Sequence, residues 1–137
     1  MAKLIFINLP VGDLARATAF YQAVGASKNP QFSDDTASCM VFSDTIHVML
    51  ITHDKWRGFT KKAIPDSRQS SEVMLAISCD SREAVNAMVD AAGANGGKSD
   101  VNPKQDHGFM FNRSCEDPDG HIWEAVWMDM SAIPAGA

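Results

Sequence analysis

The sequence predicts an α+β fold made of two tandem βαβββ units, and three observations carry that reading. Short β-rich runs and amphipathic helical stretches follow the order strand, helix, three strands, and the order occurs twice. The two helix starts, Asp13 and Asp80, and the two helix-ending glycines, Gly25 and Gly93, are each separated by close to half the chain. The 137 residues, 45% hydrophobic and 21% charged, suit one ordinary globular domain spanning 1–137 and are too few for two.

The first strand runs from Lys3 to Leu9 and is stopped by Pro10. Asp13 occupies an N-cap position, and Leu14, Ala17, Phe20, Tyr21 and Val24 follow at helical spacing until Gly25. After the turn-rich SKNPQ, strands are expected around Gln31 to Asp34, Ala37 to Phe42 and Thr45 to Thr52. These complete module one, 1–52. Module two, 72–137, begins with a strand from Glu72 to Cys79. Asp80 and Glu83 then form a capping-box pattern before a helix carrying Ala84, Val85, Met88, Val89 and Ala92, closed by Gly93. Gly96 to Val101, Phe109 to Cys115 and His121 to Met128 read as its last three strands. Asp117-Pro118-Asp119-Gly120 supplies a tight turn before the final one, with Pro pre-set for the bend and Gly free to take positive φ. Between the modules, residues 53–71 form a polar, Pro-broken linker with Lys55, Arg57, Lys61, Lys62 and Arg68, long enough to serve as a lid.

Several function classes are excluded at this level. A net charge of −5 disfavours a nucleic-acid footprint, which needs clustered cations to neutralise phosphates. Cys39, Cys79 and Cys115 are an odd number without Cys-x-x-Cys spacing, which argues against a disulfide framework or zinc knuckle. The N-terminus has no signal-peptide pattern, and no run approaches the roughly 20 apolar residues of a membrane span. A cytoplasmic protein with no membrane partner is the expectation.

Two motifs, LPVGDLARATAFYQAVGA near the start and EDPDGHIWE near the end, make the chain resemble the glyoxalase, bleomycin-resistance and extradiol-dioxygenase superfamily. The resemblance covers essentially the whole chain and is similar to the lactoylglutathione-lyase-like branch. It implies the vicinal oxygen chelate fold: two βαβββ modules forming a curled mixed sheet, helices on the convex face and a binding cavity on the concave one. It also implies a homodimer and one divalent metal held by four side chains in the cavity.

Strand alternation assigns the faces. Ile5, Ile7 and Leu9 suit the helix side, leaving Phe6 and Asn8 for the cavity; His47, Met49 and Ile51 face inward on the last strand of module one. Met74, Ala76 and Ser78 do so on the fifth strand. On the eighth, Trp123, Ala125 and Trp127 take the convex face and Glu124 the concave one. Counting back six residues from Gly12 and from Asp80 places Phe6 and Met74 at two of the family's ligand positions, Met49 falls on a third, and only Glu124 retains an acid. A ring, two thioethers and one carboxylate do not make a divalent-metal shell, which argues against glyoxalase I chemistry.

The expected function is therefore a small organic ligand held in an apolar cavity, with no metal cofactor. The alternative is a metal-dependent lyase, isomerase or dioxygenase whose site is relocated around Glu124 and His47. If catalysis occurs, Glu124 and His47 are its candidates as acid and base. A blander reading of Glu124 is a solvated acid at a wet cavity mouth, or one paired to Arg113 or a lid lysine. Candidate ligand contacts are Phe6, Asn8, Met49, Met74, Trp56 in the basic linker, His107 at a cavity rim, Phe111, which suits core or cavity, and Arg113.

Overall fold

The structure, a computed structural model, describes residues 2–132. In chain order it contains β1 (Ile5–Val11), α1 (Leu14–Ala23), β2 (Ser27–Asn29), β3 (Ala37–Val41), β4 (Ile46–Thr52), α2 (His53–Arg57), β5 (Met74–Ser78), α3 (Arg82–Ala94), β6 (Lys98–Ser99), β7 (Gln105–Asp106), β8 (Met110–Glu116) and β9 (Ile122–Met128). Each module builds its own mixed sheet, in the order β1-β4-β3-β2 and β5-β9-β8-β6, with β7 also paired to β8. In both, the first strand lies parallel to the last and the remaining pairs are antiparallel, so the βαβββ repeat is present in the topology.

Several element boundaries differ from the sequence expectation. β1 continues through Pro10 to Val11. It is an edge strand bonded only to β4, and an edge leaves one side of the backbone free for a residue without an N–H. The strand expected at Gln31 to Asp34 lies earlier, at Ser27–Asn29, because Asn29 caps a single 3-10 turn by accepting from the Gln31 backbone N–H, with Pro30 at its first position. The second long helix is capped by Ser81 rather than Asp80: the Ser81 hydroxyl accepts from the Ala84 N–H at 3.0 Å. That helix runs through Gly93 to Ala94. The strand expected over Gly96 to Val101 contracts to two residues, since Asp100 takes a left-handed φ of 55° that turns the chain out of the ladder.

Burial follows the predicted alternation on most strands; the exceptions are Ile5, assigned to the helix side but 52% exposed at the start of β1, and Ile51, assigned to the cavity side but 4% exposed. Leu9, Val48, Leu50, Trp123 and Ala125 point into one core shared by both modules, beneath α1 and α3. At its centre Tyr21 packs edge-on against Phe20 and Trp123, with ring centroids 5.0 and 6.0 Å apart. The same residues form a buried polar chain between modules. Trp123 Nε1 donates to the Tyr21 hydroxyl at 2.9 Å, and that hydroxyl donates to Asp117 Oδ2 at 2.7 Å. Asp117 Oδ1 accepts the backbone N–H of Asp119 and of His121, each at 2.9 Å, which shapes the Asp-Pro-Asp-Gly turn. Burial pushes the Tyr21 hydroxyl well above its ordinary range, helped by the adjacent Asp117 charge, and burial raises Asp117 as well.

On the surface, Arg82 grips Asp106 with two hydrogen bonds of 2.9 and 2.8 Å, and Arg113 grips Asp100 with two of 2.9 and 2.7 Å. These bonds hold both carboxyls below the usual carboxylate range. A lowered carboxyl adds stability above its unfolded value, near 3.8, and the contribution is lost as pH falls through the folded value. Urea midpoints measured between pH 6 and pH 3 are expected to fall, and to fall less steeply in Asp106→Asn. An equal slope in the two proteins would contradict this assignment.

Candidate functional site

Cross-strand partners share a sheet face, so the ladders fix which side chains leave the core. In the first sheet Phe6 opposes His47 and Asn8 opposes Met49 on the face away from the helices. In the second, Ala76 and Ser114 flank Glu124 on either side, and Met74 opposes Ile122. Phe6, Asn8, His47, Met49, Met74 and Glu124 thus occupy open faces, as the alternation of their strands predicts.

Two candidates do not. Phe111 and Arg113 oppose Trp127 and Ala125, on the helix side. Phe111 is 8% exposed in the core, under the Arg82 guanidinium at 5.1 Å from its ring centre. Arg113 is spent on Asn86, Asp90 and Asp100. Their parity on β8 is opposite to that of Asn112, which is the residue that meets Glu124. His107 is also displaced from any shared site: it lies in the turn before Met110, whose partner is Met128, at the far end of β9 from Ile122.

His47 and Glu124 do not form the acid–base pair expected of them. His47 stacks on Phe6 with centroids 4.7 Å apart and planes 17° from parallel, and its Nε2 donates to the Asp44 carbonyl at 3.2 Å. Glu124 stands on the other sheet, where the Asn112 amide donates to Oε2 at 3.5 Å. Each is held by neighbours from its own module.

The chain turned aside by Asp100 covers part of the second open face. The Asn102 backbone N–H donates to the Ser114 hydroxyl at 2.7 Å on β8, and its side-chain amide reaches the Met74 sulfur, 3.8 Å away on β5. β9 runs between those two strands, so this loop passes over it beside Glu124. That cover explains why a carboxylate on an open face is only partly exposed. Nothing in the local sequence pairs Asn102 with Met74; only the fold does.

A concave site forms where the modules meet. The linker starts as α2, capped by the Thr52 hydroxyl, which brings Trp56 toward the end of β1. Its later part crosses the Asp-Pro-Asp-Gly turn, where Arg68 donates to the Pro118 carbonyl at 2.6 Å. Beneath this strap lies a pocket of about 430 Å³ lined by Asn8, Leu9 and Pro10 of β1, Trp56, Pro65 and the serines of the strap, Glu72, Val73 and Leu75 leading into β5, and Gly120, His121 and Ile122. The volume is within the range of small-molecule sites. His121 Nε2 donates to the Pro10 carbonyl at 2.8 Å, which leaves Nδ1 as an acceptor in the neutral ring. Glu124 follows Ile122 by two residues on the same face of β9, about 7 Å further along the strand. Of the expected contacts, Asn8 and Trp56 line this pocket; Phe6, Met49 and Met74 lie on the open faces outside it. Glu72, Leu75, Ile122 and His121 were not singled out by the sequence, because no local pattern shows which strand ends the strap will roof.

The donor set does not fit a divalent ion. The ring of Phe6 and the thioethers of Met49 and Met74 stand where the resemblance places ligands. Among the described residues, no three His, Cys, Asp or Glu side chains converge.

Comparison with known proteins adds the following. The sequence model of the Glyoxalase/Bleomycin resistance protein/Dioxygenase superfamily matches residues 3–125. A glyoxalase-related enzyme from Fulvimarina pelagi superposes with a TM-score of 0.76 at 22% identity, covering 100% of this chain and 94% of its own. A glyoxalase/bleomycin resistance protein/dioxygenase family enzyme from Burkholderia phytofirmans PsJN gives 0.74 at 17% identity, covering 93% and 99%. The fosfomycin resistance protein FosX of Listeria monocytogenes gives 0.67 at 20% identity, covering 96% and 97%. At these identities the likeness is one of fold. No curated protein sequence matches the chain.

Proposed function

The chain belongs to the Glyoxalase/Bleomycin resistance protein/Dioxygenase superfamily, and from that premise we propose that it binds a small organic molecule without the family's metal quartet. The observation that carries this reading is the roofed pocket at the module junction, with Trp56 above and the open face of β9 leading from Ile122 to Glu124. Its walls are largely apolar, with Asn8, Glu72, the strap serines and His121 as separate polar points, which is the pattern of a small-molecule site. Phe6, Met49 and Met74 continue an apolar approach along the neighbouring open faces, soft enough to adapt to several shapes.

An exposed apolar edge supports pairing of two copies. Leu4, Ile5, Phe6, Val73 and Met74 are each more than half exposed. They lie on or beside β1 and β5, each an edge strand of its sheet, and an apolar edge of this kind favours association. The cysteines Cys39, Cys79 and Cys115 are free, which fits a reducing cytoplasmic location. Among the described residues no helix is long and apolar enough to cross a membrane.

The test combines metal content with ligand binding. Protein purified without chelator is expected to hold well under one divalent ion per chain, unchanged in Glu124→Gln. Aromatic fragments that raise its melting temperature are expected to lose that effect in Trp56→Ala and to keep it in His107→Ala, at the far end of β9. One tightly held ion per chain, lost in Glu124→Gln, would establish the metal-dependent alternative. Equal responses of the two alanine variants would remove the pocket from the proposal.

A further inference from the structure

We infer that the ligand of this pocket is a flat aromatic molecule carrying a protonated amine; the inference rests on the pocket reading above and assigns its chemical class. Glu72 is the one acidic or basic side chain among the residues lining the pocket, His121 aside. Glu124, next along the open face of β9, is the nearest further acid on that strand. Among the described residues neither carboxylate takes part in a salt bridge. Glu124 receives one long amide contact from Asn112 and nothing cationic.

None of the linker cations Lys55, Arg57, Lys61, Lys62 and Arg68 lines the pocket itself. Arg57 pairs with Asp54. Arg68 donates to the Pro118 carbonyl. Both line an adjoining hollow that shares Pro10, Pro65, Ser67 and His121 with the pocket and also holds His53, Asp66 and Asp119. The linker reads as basic in sequence, yet the one carboxylate or full cation among the residues lining the pocket it roofs is Glu72.

The remaining lining selects shape. Trp56 offers an indole, and Pro10, Pro65 and Leu75 offer flat or compact apolar surface. An aromatic ring fits between such walls. An ammonium attached to it gains from the Trp56 π face and from the Glu72 carboxylate at once. His121 Nδ1 and the strap serines are hydrogen-bond acceptors for the N–H groups of the same amine. An anionic ligand would instead face the Glu72 carboxylate.

Three probes of one shape and different charge test this: tryptamine, indole and indole-3-acetate, titrated into the full chain and followed by the 15N-edited NMR signal of the Trp56 indole N–H. Tryptamine is expected to bind roughly five- to tenfold more tightly than indole, the combined effect of one cation–π contact and one exposed ion pair. Indole-3-acetate is expected to bind more weakly than indole. Glu72→Gln is expected to erase the tryptamine advantage and leave indole unchanged, and raised salt to reduce it. Indole and tryptamine binding alike would overturn the charge inference while leaving the pocket standing. Indole-3-acetate binding best would overturn it as well. No movement of the Trp56 signal with any probe up to about 10 mM, beyond the range of a useful fragment, would overturn both this inference and the pocket reading.

Discussion

Replacing Asp117 with alanine is expected to destabilise the protein by about 3 kcal/mol, because it strands one buried and two part-buried donors at once. The Tyr21 hydroxyl loses its acceptor, and the backbone N–H groups of Asp119 and His121 lose theirs. The loss also reaches Trp123, whose Nε1 depends on the Tyr21 oxygen staying in place. Asp117→Asn keeps a carbonyl oxygen for the turn and is expected to cost roughly half as much. Because burial raises the Asp117 carboxyl, its own titration adds stability below the unfolded value, near 3.8, and that contribution is lost as pH rises through the folded one. The gap between the wild type and Asp117→Asn should therefore widen in acid, where the surface carboxyls titrate alike in both. Urea unfolding of the three proteins at pH 7 and pH 4 measures this. An alanine variant as stable as the wild type would mean that the chain from Trp123 to Asp117 does not join the modules.

Gly120→Ala is expected to lift the strap from the body of the protein. Gly120 has a φ of 95°, and a Cβ there would sit 2.7 Å from the Arg68 nitrogen and 2.8 Å from the Ser67 oxygen. Those are backbone atoms, so no side-chain rotation relieves the contact. The conformational cost alone is about 1–2 kcal/mol, and either the turn or the strap must move as well. Since Pro65, Ser67, Ser70, Ser71 and Glu72 line the pocket, loss of tryptamine binding is expected alongside a lower melting temperature. Limited proteolysis should cut faster within residues 59–71, where the exposed strap holds few buried contacts. A variant that melts lower but binds normally would show that the strap is not part of the site.

These two predictions rest on features with different visibility in the sequence. The turn Asp-Pro-Asp-Gly was legible as a turn, from Pro and Gly at their usual places. That its first Asp anchors Tyr21, 96 residues earlier in the chain, was not. Similarly, Glu124 was readable as the one acid on the open face of its strand, because side-chain alternation has a fixed period of two. Its neighbours Asn112 and Asn102 were not, since they arrive from another strand and from a loop released by the left-handed backbone at Asp100.

The same distinction explains where the expectations failed. Phe111 and Arg113 have the parity of the helix face, a matter of pairing register that the β8 sequence, with polar and apolar residues on both sides, does not declare. His47 belongs to the right face but the wrong sheet, so it meets Phe6 and not Glu124. The linker was readable as long, basic and Pro-broken; its docking over Gly120 was not.

By itself, then, the sequence determined the βαβββ repeat, the two capped helices, the buried faces of most strands and the absence of metal-binding side chains at Phe6, Met49 and Met74. All of these follow from local periodicity, turn chemistry and residue type. Only the tertiary structure decided that Trp56, Glu72 and His121 border one pocket, and that no cation of the basic linker lines it. Those are relations between segments that are distant in sequence, and they exist only once the burial of Tyr21, Trp123 and Asp117 has brought the two modules together.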